Sequence, residues 1–316
     1  MIEPSLPEQS PVELYNSRQF DIFSHISGRT YRVFVFKPDC APPPSGYPVV
    51  VATDGNMAFP IMATVDATFS LTGHAAIVVC IGYPTDDPMK LFSLRNRDLT
   101  PPTPTSGLPQ RPGQPPPNPE DYGGSEPFYR FLVEELRPLI AQMYPVDANE
   151  QALYGHSIAG LFTLWVLFNH PESFRSFVAS SPAIWWNNRA LLYDVPAFAR
   201  NIESGEAAPR ALLLVGSREQ DVPPVLPPSI NDAIAEKIGF LPSAIRNFVG
   251  KLFIKKMMRD WRMIDNARDL AAQLQQLKGA PGYSVRFHAF DGDDHLTALP
   301  ASIGHALAFA LKYFGE

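Results

Sequence analysis

One hexapeptide narrows the folds open to this chain more than any other feature. Gly155-His156-Ser157-Ile158-Ala159-Gly160 stands between a short apolar run, Gln151-Ala152-Leu153-Tyr154, and a helix-like run from Leu161 to Phe168. It follows the pattern G-x-S-x-G with a small residue, Ala159, in the last place and Gly160 one step on. A strand, a sharp turn and a helix in that order hold the serine in strained backbone angles. Only residues without a bulky side chain fit two positions either side of it. The strain lifts the serine hydroxyl above a sheet edge, so the motif predicts both a sheet and a nucleophile at its rim.

The rest of the chain carries the pattern such a sheet needs. Pro48 to Ala52, Ala75 to Ile81, Ala211 to Val215 and Val285 to Phe290 are strand-like, and longer helical patterns separate most of them. Continuous apolar strands alternating with helices predict an α/β fold, with a mostly parallel sheet covered on both faces. Gln19 to Ser24 and Arg32 to Phe36 alternate instead, around Ser27-Gly28, and predict an N-terminal antiparallel hairpin. One domain over residues 1–316 is expected, with two unusual segments. Residues 100–127 are dense in proline and read as a long loop. Residues 222–262 open with prolines, then turn helical and basic, and read as a helical cap inserted before a helix at 263–277. Within it, residues 240–258 read as a basic amphipathic helix suited to rest on a membrane or a second subunit.

A serine hydroxyl is a weak nucleophile; it needs a base, and the base needs an orienting carboxylate. Two late loops supply both in chain order. After 211–215 comes Gly216-Ser217-Arg218-Glu219-Gln220-Asp221, and after 285–290 comes Asp291-Gly292-Asp293-Asp294-His295. His295 is the candidate base. Glu219 and Asp221 both qualify as the acid, with Glu219 favoured because it falls three residues after the glycine that ends the strand. His156 borders the serine but points the wrong way for a base, and is expected to pack or to line the pocket. Negative charge growing on an attacked carbonyl needs two backbone N–H donors. Ile158 is expected to supply one. The loop Thr53-Asp54-Gly55-Asn56-Met57 is expected to supply the other: Gly55 allows a close approach, and Asn56 or Met57 presents the amide.

Composition removes other classes. A net charge of −6 argues against a general affinity for nucleic acid. The two cysteines, Cys40 and Cys80, form no CxxC or Cys/His cluster, so neither a zinc site nor another cofactor is expected. Cys80, inside an apolar run, is expected to be a buried, inert thiol. No basic segment followed by an apolar core opens the chain, and no apolar run reaches membrane-spanning length, so a cytoplasmic protein is expected.

Several blocks together resemble one family. Asp54-Gly55-Asn56, Gly82-Tyr83, Arg97-Asp98-Leu99-Thr100-Pro101, the Ser157 motif, Ser180-Ser181-Pro182-Ala183-Ile184-Trp185-Trp186-Asn187 and Asp265-Asn266-Ala267 resemble the esterase-D-like α/β-hydrolases. Within these the chain is most similar to the siderophore esterases, which hydrolyse trilactones such as ferric enterobactin, salmochelin or bacillibactin. The likeness spans most of residues 20–314, and the Ser180–Asn187 block with Arg97–Pro101 is its most specific part. It implies an α/β-hydrolase fold and a serine esterase in which Ser157, His295 and Glu219 act through an acyl-enzyme, with an oxyanion loop at Gly55-Asn56. It implies a substrate cleft at Arg97, Trp185 and Trp186. Arg95, Arg97 and the basic face of 237–262 would attract an anionic substrate, and the tryptophans would pack on its rings. The implied partner is a small-molecule ester, an iron-loaded siderophore among them, with metal arriving only as part of it. The length of 222–262 and the leucine after His295 depart from the family pattern, and both bear on the substrate. A carboxylesterase or acyl-transfer enzyme for another bulky ester is the alternative within enzymes. A binding protein on a hydrolase scaffold is the alternative outside them, and the intact Ser157, His295 and Glu219 set argues against it.

Overall fold

The computed structural model describes residues 10–102, 118–222 and 242–315. The hairpin forms as expected: β1 (Ser17–Ser24) and β2 (Arg29–Phe36) pair antiparallel, with Gly28 at φ 68° in the turn between them. β3 (Tyr47–Ala52), β4 (Ile77–Gly82), β5 (Val146–His156), β6 (Ser176–Ser180), β7 (Arg210–Gly216) and β8 (Ser284–Phe290) follow. They make one sheet in the order β1-β2-β4-β3-β5-β6-β7-β8. β2 meets β4 antiparallel, and every later pairing, from β4/β3 to β7/β8, is parallel. This is the α/β-hydrolase arrangement, a parallel sheet led by an antiparallel hairpin.

The helices between strands are α1 (Gly55–Ser70), α2 (Pro88–Leu99), α3 (Ser125–Arg130), α4 (Arg137–Met143), α5 (Ile158–Asn169), α6 (Val195–Ser204), α7 (Ser243–Trp261), α8 (Met263–Gln275) and α9 (Ala298–Ala310). Strand side chains alternate between two cores. Val49, Val51, Val79, Ile81 and Leu153 join residues of α5, α6 and α8 on one face. Val50, Ala52, Val78, Cys80 and Tyr154 join α1 and α9 on the other. Because both faces are covered, the strands read as unbroken apolar runs. α5 is buried from Ile158 to Phe168, which explains why its sequence shows no polar stripe. Truncating Phe162 at its centre, fully buried, would cost about 3–5 kcal/mol. Cys80 is also fully buried, and burial pushes its thiol pKa up.

Two local readings, of the proline-rich stretch and of the number of strands, need amending. Residues 103–117 of the proline-rich stretch lie outside the described residues, but its end is not loop: Ser125, Glu126 and Pro127 open α3. Pro127 sits in the first turn, where its missing N–H leaves no intrahelical bond unmade. Residues 223–241 of the basic segment likewise lie outside, and from Ser243 to Trp261 that segment is a single helix. The five-residue strand β6 was not read from the sequence. Its position matters, since parallel β3, β5, β7 and β8 send the loops at Gly55, Ser157, Glu219 and His295 to one sheet edge.

Candidate active site

β5 ends at His156, α5 begins at Ile158, and Ser157 between them has φ 64° and ψ −119°. Holding a non-glycine residue there costs about 1–3 kcal/mol. The turn is tight because the backbone doubles back on itself. A Cβ on Gly155 would lie 2.2 Å from the carbonyl oxygen of Ala159. Ala159 itself, fully buried, takes the last place of the motif. Gly160 serves the packing of α5 instead, since a Cβ there would lie 2.7 Å from the Ser180 carbonyl at the end of β6. The same carbonyl accepts the Ser157 amide at 2.9 Å, which pins the turn to β6.

Above this turn the three expected side chains meet. His295 Nε2 lies 3.0 Å from Ser157 Oγ, and His295 Nδ1 lies 2.7 Å from Glu219 Oε2. Ser157 and Glu219 are 62 residues apart and Glu219 and His295 are 76 apart, so only the parallel sheet brings them together. Glu219 is buried. Its other oxygen accepts the Gly216 amide at 2.6 Å and the Ser181 hydroxyl at 2.5 Å. Burial alone would raise its carboxyl pKa. The His295 contact and these two donors outweigh burial and hold it below the usual glutamate value. Asp221 stays outside, exposed beside Arg218 at 3.6 Å.

His156 does not reach the serine as a base. Its Nδ1 lies 3.0 Å from Ser180 Oγ, and its ring sits 4.8 Å from the His295 ring. Burial, followed by the nearness of His295, pushes its pKa down to about 3, so it stays neutral beside that ring. On the opposite lip, Asp54 adopts a left-handed conformation (φ 57°, ψ 38°) and α1 starts at Gly55. The Asn56 side chain clasps Tyr83, accepting its amide at 2.8 Å and donating to its carbonyl at 3.0 Å. The Met57 amide is bonded to the Asp54 carbonyl at 2.9 Å, so the donor expected of this loop falls to Gly55 or Asn56. Ile158 opens α5, where first-turn N–H groups have no partner within the helix.

The esterase family model, described as "Putative esterase", matches residues 24–238, more than half of the chain. The chain belongs to the esterase family. The ferri-bacillibactin esterase BesA of Bacillus subtilis is 33% identical over 297 residues, covering 91% of this chain and 87% of that protein. The siderophore triacetylfusarinine C esterase of Aspergillus fumigatus is 32% identical over 314 residues, covering 94% of each. The solved siderophore hydrolase EstB from Aspergillus nidulans superposes with a TM-score of 0.76 at 28% identity, covering 98% of this chain and 99% of that one.

In this esterase the residues expected to face substrate have varied surroundings. Arg95 directs Nε and Nη2 at the two Asp54 oxygens, 2.8 and 2.7 Å away, in a mostly buried bidentate pair. It therefore braces the loop that leads into Gly55. Arg97 donates to the Glu120 carbonyl, which ties α2 to the far end of the proline-rich stretch. Trp186 is only 5% exposed and packs on Tyr122 at 5.3 Å. Trp185 is partly exposed and stacks flat on Trp261 of α7, centroids 4.4 Å apart. Three contributors escaped the sequence reading: Ser181 behind Glu219, Arg95 as a partner of Asp54, and Trp261. Ser181 stands in the Ser180–Asn187 block, so a signal existed; the partners of Arg95 and Trp261 are too distant in sequence to be read.

Proposed function

We propose that the protein is a serine esterase in which Ser157 is the nucleophile, His295 the general base and Glu219 the orienting acid. The observation that carries this is the unbroken hydrogen-bonded line from Ser157 Oγ through His295 to Glu219, at 3.0 and 2.7 Å. Ser157 attacks the ester carbonyl carbon while its proton passes to His295 Nε2. The resulting imidazolium is stabilised by the ionised Glu219. The amides of Ile158 and of Gly55 or Asn56 receive the oxyanion, and the Asp54–Arg95 pair braces the second of these donors. The intermediate collapses, His295 protonates the departing alcohol, and an acyl group remains on Ser157. His295 then activates water to release the acid. Each step uses side chains and backbone amides of this chain, with water as the second nucleophile.

The substrate class we propose is a siderophore ester, a catecholate trilactone among the candidates, with iron carried as part of the substrate. Relatives covering most of the chain are siderophore esterases by name, which supports this. The stacked Trp185–Trp261 pair offers an aromatic surface such as a ring-bearing ligand would need, two residues on from Ala183, whose amide donates to the Ser157 carbonyl at 3.0 Å. On this reading the described residues form one hydrolase domain, with the helix Ser243–Trp261 as its cap. Cys40 and Cys80 are free thiols, in keeping with a reducing, cytoplasmic setting.

The test is a panel of a ferric trilactone, its iron-free form and p-nitrophenyl butyrate. A kcat/KM for a trilactone at least tenfold above that for the simple ester is expected. A preference for the simple ester by orders of magnitude would overturn the substrate assignment while leaving the esterase standing.

A further inference from the structure

Helix α7 has apolar residues on two opposite sides, and among the described residues only one side is buried. Gly250 and Ile254 are buried against the body, and Trp261 stacks on Trp185. On the other side Ile245, Phe248, Val249, Leu252 and Phe253 form a stripe at the i, i+3, i+4, i+7, i+8 spacing of one helix face. All five are exposed, Phe248 at 65% and Leu252 at 52%. Solvated helix faces are normally polar, and a contiguous apolar patch of this kind marks a contact surface.

The charges around the stripe decide what it contacts. The chain as a whole carries −6, yet α7 holds Arg246, Lys251, Lys255, Lys256 and Arg259 against the single acid Asp260. At 100° per residue, Lys251 and Lys255 run along one flank of the stripe, and Lys256 and Arg259 stand on its own face just beyond its C-terminal end. A second copy pairing α7 on α7 about a two-fold axis would set these like charges against each other. Nucleic acid would leave the apolar stripe unsatisfied. An anionic bilayer satisfies both features, taking the apolar side chains into the headgroup–acyl boundary and the lysines onto its phosphates. Among the described residues no helix is long and apolar enough to cross a membrane, so the contact would be with a surface.

We propose that the outer face of α7 docks the esterase on anionic lipid surfaces. Resting on the reading above that Trp185 faces the substrate, docking would hold that ring close to the lipid surface, because the same helix ends on Trp185. The esterase would then work on its ester at the membrane.

Co-sedimentation with phosphatidylcholine vesicles, with and without phosphatidylglycerol, tests this at low and high salt. Binding is expected only with phosphatidylglycerol, weakening as salt rises. Phe248→Asp with Leu252→Asp should abolish binding and leave hydrolysis of p-nitrophenyl butyrate at the wild-type rate. Lys251→Gln with Lys255→Gln should weaken binding about fivefold per charge, roughly thirtyfold together, and keeps the test open if the first variant does not fold. Three results would overturn the proposal. One is no binding to anionic vesicles at low salt. Another is binding unchanged in both variants. The third is a wild-type dimer in sedimentation velocity that the Phe248→Asp, Leu252→Asp variant dissolves, which would assign the face to a second copy.

Discussion

Glu219→Gln separates a working triad from a chance contact, because the surroundings of Glu219 dictate how a glutamine must sit. Glu219 Oε1 accepts from the Gly216 amide at 2.6 Å and from Ser181 Oγ at 2.5 Å, while Oε2 faces His295 Nδ1 at 2.7 Å. The Gly216 amide can only donate, so the glutamine carbonyl must take the Oε1 place. Its NH2 then points at Nδ1. Two donors cannot share that contact, so the imidazole proton moves to Nε2 and points at Ser157 Oγ. A base that already holds a proton on that nitrogen cannot accept the serine's. The lost charge-assisted bond is worth about 1.5–3 kcal/mol, roughly ten- to 150-fold in rate. The tautomer error adds to it, and the equivalent acid-to-amide change in another Ser-His-Asp triad costs about 10⁴-fold in kcat. The expected outcome is therefore a loss of about 10³–10⁴ in kcat near neutral pH, with KM little changed and the circular dichroism spectrum intact. Steady-state kinetics on p-nitrophenyl butyrate measures it. A folded variant within tenfold of wild-type kcat would refute the argument.

Other outcomes follow from the same surroundings. Asp221→Asn, at an exposed site paired with Arg218 at 3.6 Å, should leave kcat within about twofold of wild type, and a large loss would move the acid role to Asp221. Arg95→Gln breaks a mostly buried bidentate pair and should cost about 3–5 kcal/mol in chemical denaturation, with kcat falling more than KM changes. An unchanged midpoint would show that the Asp54 loop does not depend on it. Asp66 is fully buried in α1, and burial pushes its carboxyl up to about 7, although the Ala76 amide at 3.3 Å opposes the rise. A raised acid pKa means the fold prefers the protonated form, so the penalty is absent below the ordinary carboxyl range, grows as pH rises through it, and is complete above about 7. Asp66→Asn should therefore raise Tm clearly at pH well above 7 and hardly at all near pH 4, with the full effect on the order of 4 kcal/mol. Thermal melts across pH would expose a gain that fails to grow with pH.

Much of this was legible because local chemistry forced it. The small residues around Ser157 announce a turn that no helix or plain strand needs. The unbroken apolar runs at β3, β4 and β7 announce strands buried on both faces. Once the sheet is parallel, any residue just past a strand's carboxyl end lies on the same edge, so Glu219 and His295 could be placed from their strands alone. What stayed hidden is what three dimensions alone bring together. Arg95 reads as a free basic residue until α2 lays it on Asp54, 41 residues earlier. Trp186 looks like a ring for substrate until Tyr122 covers it. β6 is five residues long and follows a buried helix with no alternation to mark the change. The amide of Met57 reads as available until the left-handed turn at Asp54 bends the chain back to accept it.

The account rests on Ser157 as an activated nucleophile, and a fluorophosphonate reads that directly. Intact-mass and peptide mapping of the treated protein should show one adduct per chain, on Ser157, absent from Ser157→Ala and formed far more slowly in His295→Ala. A folded wild type that takes no label, or takes it at another residue, would contradict the account.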